Sequence, residues 1–342
     1  MACTLLLLGL FFAETIDMSQ WQAPVYHATW ARQDGVRLFL VEDKTVMVFD
    51  VSNGYRQPQF LWQTPGVGQG PGQLPSSAYL NQIAIDPESK DLWISYTNGF
   101  KVFNQEGLFQ KDVGYDLPNV RNQSHIYIHG KMLFMSTLEA ISDRVYLRAF
   151  DKDELLFKDP EWELRHPGGL PITDGGPYLE PTPELFRIQG YFYIWDPSTG
   201  EFLKINANGG LETFEFLPQA VFHPNNRPVH FDGKPLVREG HYSYRVRSYE
   251  LPQSGLIGEG DFLWTSLFRP SKPWPMRVLV KLTSNGKVLE AYTHPILTKS
   301  NDITRHYLFA LRNDNFYFLD LNETDKLHLI PRRELKTHLE KR

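Results

Sequence analysis

The sequence predicts an all-β protein: a six-bladed β-propeller built from four-stranded antiparallel blades, with seven blades as the alternative. Three observations predict it. A short apolar run that ends in a small polar residue recurs six times along the 342 residues. A second, independent series of apolar runs gives the same count. The composition is 14% aromatic with 25 Gly and 24 Pro, which suits pleated, half-buried strands separated by many turns. A hairpin-sized repeat cannot bury both of its faces alone, so the copies must stack on one another, and a ring lets every copy do so.

The recurring runs are residues 46–50, 100–104, 146–151, 202–206, 278–283 and 316–322, read as the third strand of each blade. The second strands are read at 37–41, 92–96, 131–136, 191–195, 262–267 and 307–311. The unit around residues 81–113 is clearest, because the turn signals Asp86-Pro87, Asn98-Gly99 and Glu106-Gly107 separate its four strands. Asp86 is expected to serve its turn, with its carboxylate accepting backbone N–H groups. Trp93, Trp195 and Trp264 fall on second strands and are expected to pack between blades. The long interval at 225–258 is either an insertion or a degenerate seventh blade. A second long connection, 166–183, carries two Gly-Gly pairs without the lysine or helix start that a phosphate cradle needs.

Net charge is −5, with no long run of one sign, so a nucleic-acid footprint is not expected. Residues 1–20 read as a leader or signal peptide, because the apolar stretch 4–13 is too short to span a bilayer. The single cysteine, Cys3, lies at its start. Residues 21–333 read as one propeller domain and 334–342 as a charged tail. These features point to a periplasmic or secreted protein with no membrane span in its mature form, the alternative being cytoplasmic. Ring closure is expected from residues 25–32 pairing beside 326–330, which would cover the last bare strand edge.

First strands of a propeller converge on its channel, so their polar residues are the first candidates for chemistry. His27, His125 and His223 lie in apolar runs read as first strands and are evenly spaced along the chain. Three imidazoles from alternate blades could hold one divalent ion, zinc or calcium, with a position open for water. Asn81 starts an inner strand and could face the same channel. Trp30 and Trp274 are candidates for exposed ligand contacts, and Arg269 and Lys272 flank Trp274 in a way that would suit an acidic or sugar-like ligand. A nucleophile elbow of the G-x-S-x-G type and a zinc-binding H-E-x-x-H helix are both missing from the sequence.

The stretch Gly66-Val67-Gly68-Gln69-Gly70-Pro71-Gly72-Gln73-Leu74, followed by Asn81-Gln82-Ile83-Ala84-Ile85-Asp86, resembles the crossover and inner strand of NHL-type, TolB-like six-bladed propellers. Gln82 stands where that pattern has glycine. The resemblance implies a propeller fold. It also implies one of several roles: a protein-binding or scaffold module, a lactone or ester hydrolase with a channel metal, or a zinc-dependent lyase. The Glu-Gly-Pro setting of the lactonase metal ligand is missing. The expectation is therefore a binding or scaffold module acting on a protein or small-molecule ligand through its rim or channel, the alternative being a metal-dependent hydrolase or lyase.

Overall fold

The computed structural model describes residues 13–78, 80–97, 99–114, 120–139, 145–154, 156–164, 184–188, 191–196, 201–205, 211–215, 236–238, 241–243, 257–269, 276–285, 287–298 and 306–337. The described residues open on β1 (Glu14–Asp17) and a short 3-10 turn. The first sheet is β2 (Ala28–Asp34), β3 (Arg37–Glu42), β4 (Thr45–Asp50) and β5 (Gln59–Gln63). The second is β6 (Leu80–Ile85), β7 (Leu92–Tyr96), β8 (Gly99–Phe103) and β9 (Phe109–Gly114). The third is β10 (Val120–His129), β11 (Met132–Glu139), β12 (Val145–Asp151) and β13 (Leu156–Leu164). The fourth is β14 (Glu184–Ile188), β15 (Tyr191–Asp196), β16 (Glu201–Ile205) and β17 (Leu211–Glu215). A two-stranded ribbon follows, β18 (Leu236–Arg238) with β19 (His241–Ser243). The fifth sheet is β20 (Ile257–Glu259), β21 (Phe262–Arg269), β22 (Met276–Thr283) and β23 (Val288–Thr293), then the short helix α1 (Pro295–Thr298). The last sheet has β24 (His306–Arg312), β25 (Asn315–Asp320) and β26 (Lys326–Pro331), with β1 as its fourth strand, and β27 (Lys336–Thr337) returns to pair with β23. All these pairings are antiparallel, consecutive strands pairing as meanders apart from β1 with β26 and β23 with β27, and the sheets are arranged as a propeller.

The middle strands read as unbroken apolar runs rather than alternating ones because both their faces are covered. In the first sheet, Leu38, Leu40, Met47 and Phe49 pack toward the last sheet, against Tyr307, Tyr317 and Leu319. The intervening Phe39, Val41, Val46 and Val48 pack toward the second sheet, against Ile83, Leu92, Ile94 and Phe103. The second sheet repeats the division: Ala84, Trp93, Phe100 and Val102 face Ile126, Ile128, Leu133, Met135 and Phe150 of the third. Trp264 and Leu279 of the fifth sheet meet Leu308, Phe316 and Phe318 of the last, with Trp264 edge-on to Phe316 at 4.9 Å between ring centroids. First strands are neighbours across sheets, β10 lying against both β6 and β14, and β2 against β24. Between the fourth and fifth sheets, Tyr193 donates to the Ser284 carbonyl at 3.1 Å.

The polar residue that ends the recurring run has a structural job. Asp50 Oδ1 accepts the N–H of Ser52, and Asn104 Oδ1 accepts those of Glu106 and Leu108. Asp151 Oδ1 accepts from Asp153 and Glu154, Thr283 Oγ1 from Asn285 and Lys287, and Asp320 Oδ1 from Asn322 and Glu323. Each side chain satisfies backbone donors that the strand end would leave bare, which is why a short acceptor recurs there. Asp86 does the same for Glu88 and Ser89, as expected from its place before proline.

The structure corrects two strand positions and the closure. Residues 316–322 were expected on a third strand and 307–311 on a second. They form β25 and β24, the second and first strands of the last sheet. The third is β26, and the fourth comes from the far end of the chain. Closure is made by Glu14–Asp17, with Glu14 opposite Leu329 and Asp17 opposite Lys326, and not by residues 25–32. Ala28–Asp34 is already committed to the first sheet, so it cannot also cover this edge. Buried Ile16 seals the joint, and the Lys326 ammonium reaches Asp17 at 2.9 Å. Most of 225–258 lies outside the described residues, as does 166–183.

Candidate functional site

Two places in the described structure concentrate polar groups. The first is an open cleft of roughly 700 Å³ beside the loop that joins the first and second sheets. One wall is Gly68–Ser76 and the other is Lys101, Phe109 and Asp112. The loop is held in shape by its own backbone: Gly68 N–H donates to Leu74 O at 2.9 Å and Leu74 N–H to Gly66 O at 2.7 Å. The Gln73 side chain accepts from Gly70 N–H at 2.7 Å. Gly72 has φ +76, and a Cβ there would stand 3.0 Å from the Phe103 ring and 3.2 Å from Phe109 Cβ, so both conformation and space call for glycine.

At the cleft floor, Lys101 is 5% exposed and binds Asp112, with the rings of Tyr96 and Phe109 at 5.3 and 5.7 Å from its ammonium. Tyr96 donates its hydroxyl to Asp112 Oδ1 at 2.8 Å. Burial, together with the carboxylate it serves, pushes the Tyr96 phenol well above its ordinary value, so it remains a donor. Asp112 itself is half-exposed, and two fixed donors aim it at the opening.

The second place is a polar cluster across the last sheet, made of buried His306, Asp320 and His328 with exposed Thr15 at its edge. His306 and Asp320 are directly opposite on β24 and β25, while Thr15 and His328 are opposite on β1 and β26. Asp320 Oδ2 lies 3.0 Å from His328 Nε2 and 3.6 Å from His306 Nε2. Thr15 Oγ1 lies 3.0 Å from His328 Nδ1, and the two imidazole centroids are 5.0 Å apart. Burial alone would raise the Asp320 carboxyl. The His328 bond, the Glu323 and Asn322 amides and the nearby His306 outweigh it and hold the group down to about 2. Among the described residues, these are the three His, Cys, Asp or Glu side chains close enough together to share a metal ion.

The residues expected from sequence fall as follows. His27 is exposed just before β2, and its backbone N–H donates to Glu42 Oε1 at 2.8 Å. His125 is on β10, and Asn81 is on β6, the strand that lies against β10. His223, Trp274 and Lys272 lie outside the described residues. Arg269 ends β21. Trp30 is half-buried between sheets, its ring 6.3 Å from that of Tyr307. Trp93 and Trp264 are buried in the packing between sheets as expected, whereas Trp195 is placed only by its backbone on β15.

Sequence reading missed Lys101, Phe109 and Asp112, although the Gly66–Leu74 stretch beside them stood out. It also missed the cluster on the last sheet. Its members alternate on neighbouring strands, but the strands were numbered one place too far along, and Thr15 sits 313 residues from its partner.

No family model matches the chain, and no curated protein sequence matches it. Solved structures do. A Bacteroides fragilis protein described as exported superposes with a TM-score of 0.56 at 12% identity, covering 90% of this chain and 83% of its own. A member of the DUF4221 family from Bacteroides vulgatus gives 0.55 at 8% identity, covering 96% and 97%. A luciferin-regenerating enzyme gives 0.52 at 11% identity, covering 95% and 97%. At such identities the likeness establishes the β-propeller fold. No helix among the described residues is long and apolar enough to cross a membrane.

Proposed function

We propose that this chain is an exported six-bladed, NHL-like propeller that works as a non-catalytic binding module, taking a polypeptide segment of a partner into the cleft between Gly68–Ser76 and Asp112. Five four-stranded sheets and one five-stranded sheet support the blade count, with the ribbon β18–β19 as an appendage. The apolar stretch 4–13 supports export.

The observation that carries the binding reading is Asp112. A half-exposed carboxylate is fixed by two donors, Lys101 and Tyr96, at the mouth of a cleft whose other wall is a glycine-rich loop. The Lys101 ammonium and the Asp112 carboxylate neutralise each other, which suits recognition better than proton transfer. The fitting ligand is a segment that brings a hydrogen-bond donor, basic or amide, to Asp112 and an apolar group to Phe109. Selection of peptides against the full chain tests this. Enriched segments that lose at least tenfold in affinity on Asp112→Asn or Phe109→Ala support it. Segments indifferent to both changes, or no enrichment, overturn it.

A metal-dependent hydrolase or lyase is the second reading. The position of His125 on β10, a first strand flanked by the first strands of two other sheets, favours it. One of the similar structures is an enzyme by name, the luciferin-regenerating enzyme. In this reading His27, His125 and His223 hold one divalent ion. A metal assay of the purified protein beside His27→Ala, His125→Ala and His223→Ala decides it, since unchanged metal content in all three removes that site.

A further inference from the structure

We propose that His306, Asp320 and His328 form a zinc-class metal site that locks the propeller closed. The inference stands apart from the binding reading and rests on the register of the last sheet. Each of its four strands contributes one polar residue to a cluster on two neighbouring rungs: His306 on β24 opposite Asp320 on β25, and His328 on β26 opposite Thr15 on β1, where Phe318 is the β25 partner of His328 and Thr15 is the exposed end. The side chains of His306, Asp320 and His328 are 2%, 10% and 10% exposed.

The spacing fits a shared ion. Zinc ligands at about 2.0 to 2.2 Å in tetrahedral geometry stand about 3.3 to 3.6 Å from one another. The Asp320 Oδ2 distances to the two Nε2 atoms, 3.0 and 3.6 Å, bracket that edge. The longer one exceeds a hydrogen bond. All three ligand atoms lie within 4.8 Å of one another.

The surroundings orient these atoms as metal ligands are oriented. Asp320 Oδ1 is occupied by the Asn322 and Glu323 amides, which leaves Oδ2 for an ion. His328 Nδ1 is engaged by Thr15 Oγ1, which fixes its Nε2 toward Oδ2. Outer partners of this kind set tautomer and ring angle at metal sites. Two imidazoles and one carboxylate select zinc or a similar transition ion over calcium or magnesium, which prefer all-oxygen shells. A water would complete the tetrahedron.

The consequence is mechanical. An ion here ties three strands of the last sheet together and, through Thr15, holds the strand from the beginning of the chain. Metal binding would therefore be linked to ring closure.

The test uses the full chain, freed of metal with a chelator and titrated separately with ZnCl2 and CoCl2. The expected result is one tightly bound ion per chain, a higher thermal midpoint with zinc, and the strong visible bands of tetrahedral cobalt. His306→Gln and His328→Gln should each weaken zinc binding at least tenfold, and Thr15→Val by about 10- to 100-fold. A folded wild-type protein that takes up no zinc overturns the proposal. So does zinc binding unchanged in both glutamine variants, which would place the ion elsewhere. If those variants fail to fold, the wild-type titration and Thr15→Val decide, and tight binding indifferent to Thr15→Val counts against the site.

Discussion

The Asp86 carboxylate, just after β6 in the second sheet, is bound by the ammonium of Lys152, just after β12 in the third. Their side chains are 2% and 11% exposed, so this ion pair joins adjacent sheets out of water. Burial raises the Asp86 carboxyl, but Lys152 and the Glu88 and Ser89 amides outweigh it and hold the group below the usual carboxylate range. A depressed folded value means that the stabilisation is complete above the unfolded value and fades as pH falls through the folded one. The contribution should thus be intact above about pH 4 and lost below it. Lys152→Met leaves a buried carboxylate without its partner and should cost about 3 to 5 kcal/mol. Acid titrations followed by circular dichroism should show the variant unfolding at higher pH than wild type. Coincident curves would show that the pair contributes nothing.

Gly72 should be irreplaceable where Gly35 is not. Both have positive φ, +76 and +58, but a Cβ at Gly35 meets open space and one at Gly72 meets two phenylalanines. Gly35→Ala should cost about 1 kcal/mol and Gly72→Ala about 2 to 3, since the second adds a steric clash to the backbone strain. Urea denaturation of the two variants measures the difference, and equal losses would mean that the loop does not press on Phe103 and Phe109.

The packing between sheets should make the ring one cooperative unit. Phe39 lies between the first and second sheets and Phe316 between the fifth and last. Truncation of either to alanine should cost about 3 to 5 kcal/mol and shift one shared transition. Tryptophan fluorescence and far-ultraviolet circular dichroism should give the same midpoint in each variant. Separate midpoints would indicate sheets that melt independently.

What the sequence reveals follows from how local each signal is. The recurring run is legible because apolar burial on both faces and the turn-capping acceptor are written within a few residues, as at Val46 to Asp50 or Val278 to Thr283. Five of the six runs fall on third strands, namely β4, β8, β12, β16 and β22. The sixth, on β25, is displaced by one because the last sheet borrows its fourth strand from Glu14–Asp17, and no local pattern announces so distant a partner. The two polar sites are hidden for the same reason. Lys101 and Asp112 meet across a hairpin on strands that read as plain sheet, and Thr15 meets His328 only once the ring is closed.

Closure by Glu14–Asp17 is the claim on which the ring depends, and a disulfide tests it most directly. Glu14 and Leu329 are opposite each other across β1 and β26. Facing residues of antiparallel strands are about 4.5 to 5.5 Å apart at Cα, within the reach of a disulfide. In a Cys3→Ser background, the pair Glu14→Cys and Leu329→Cys should oxidise within one chain, run faster on a non-reducing gel and raise the thermal midpoint. Cross-links only between chains, or two thiols that stay free in folded protein, would contradict the closure.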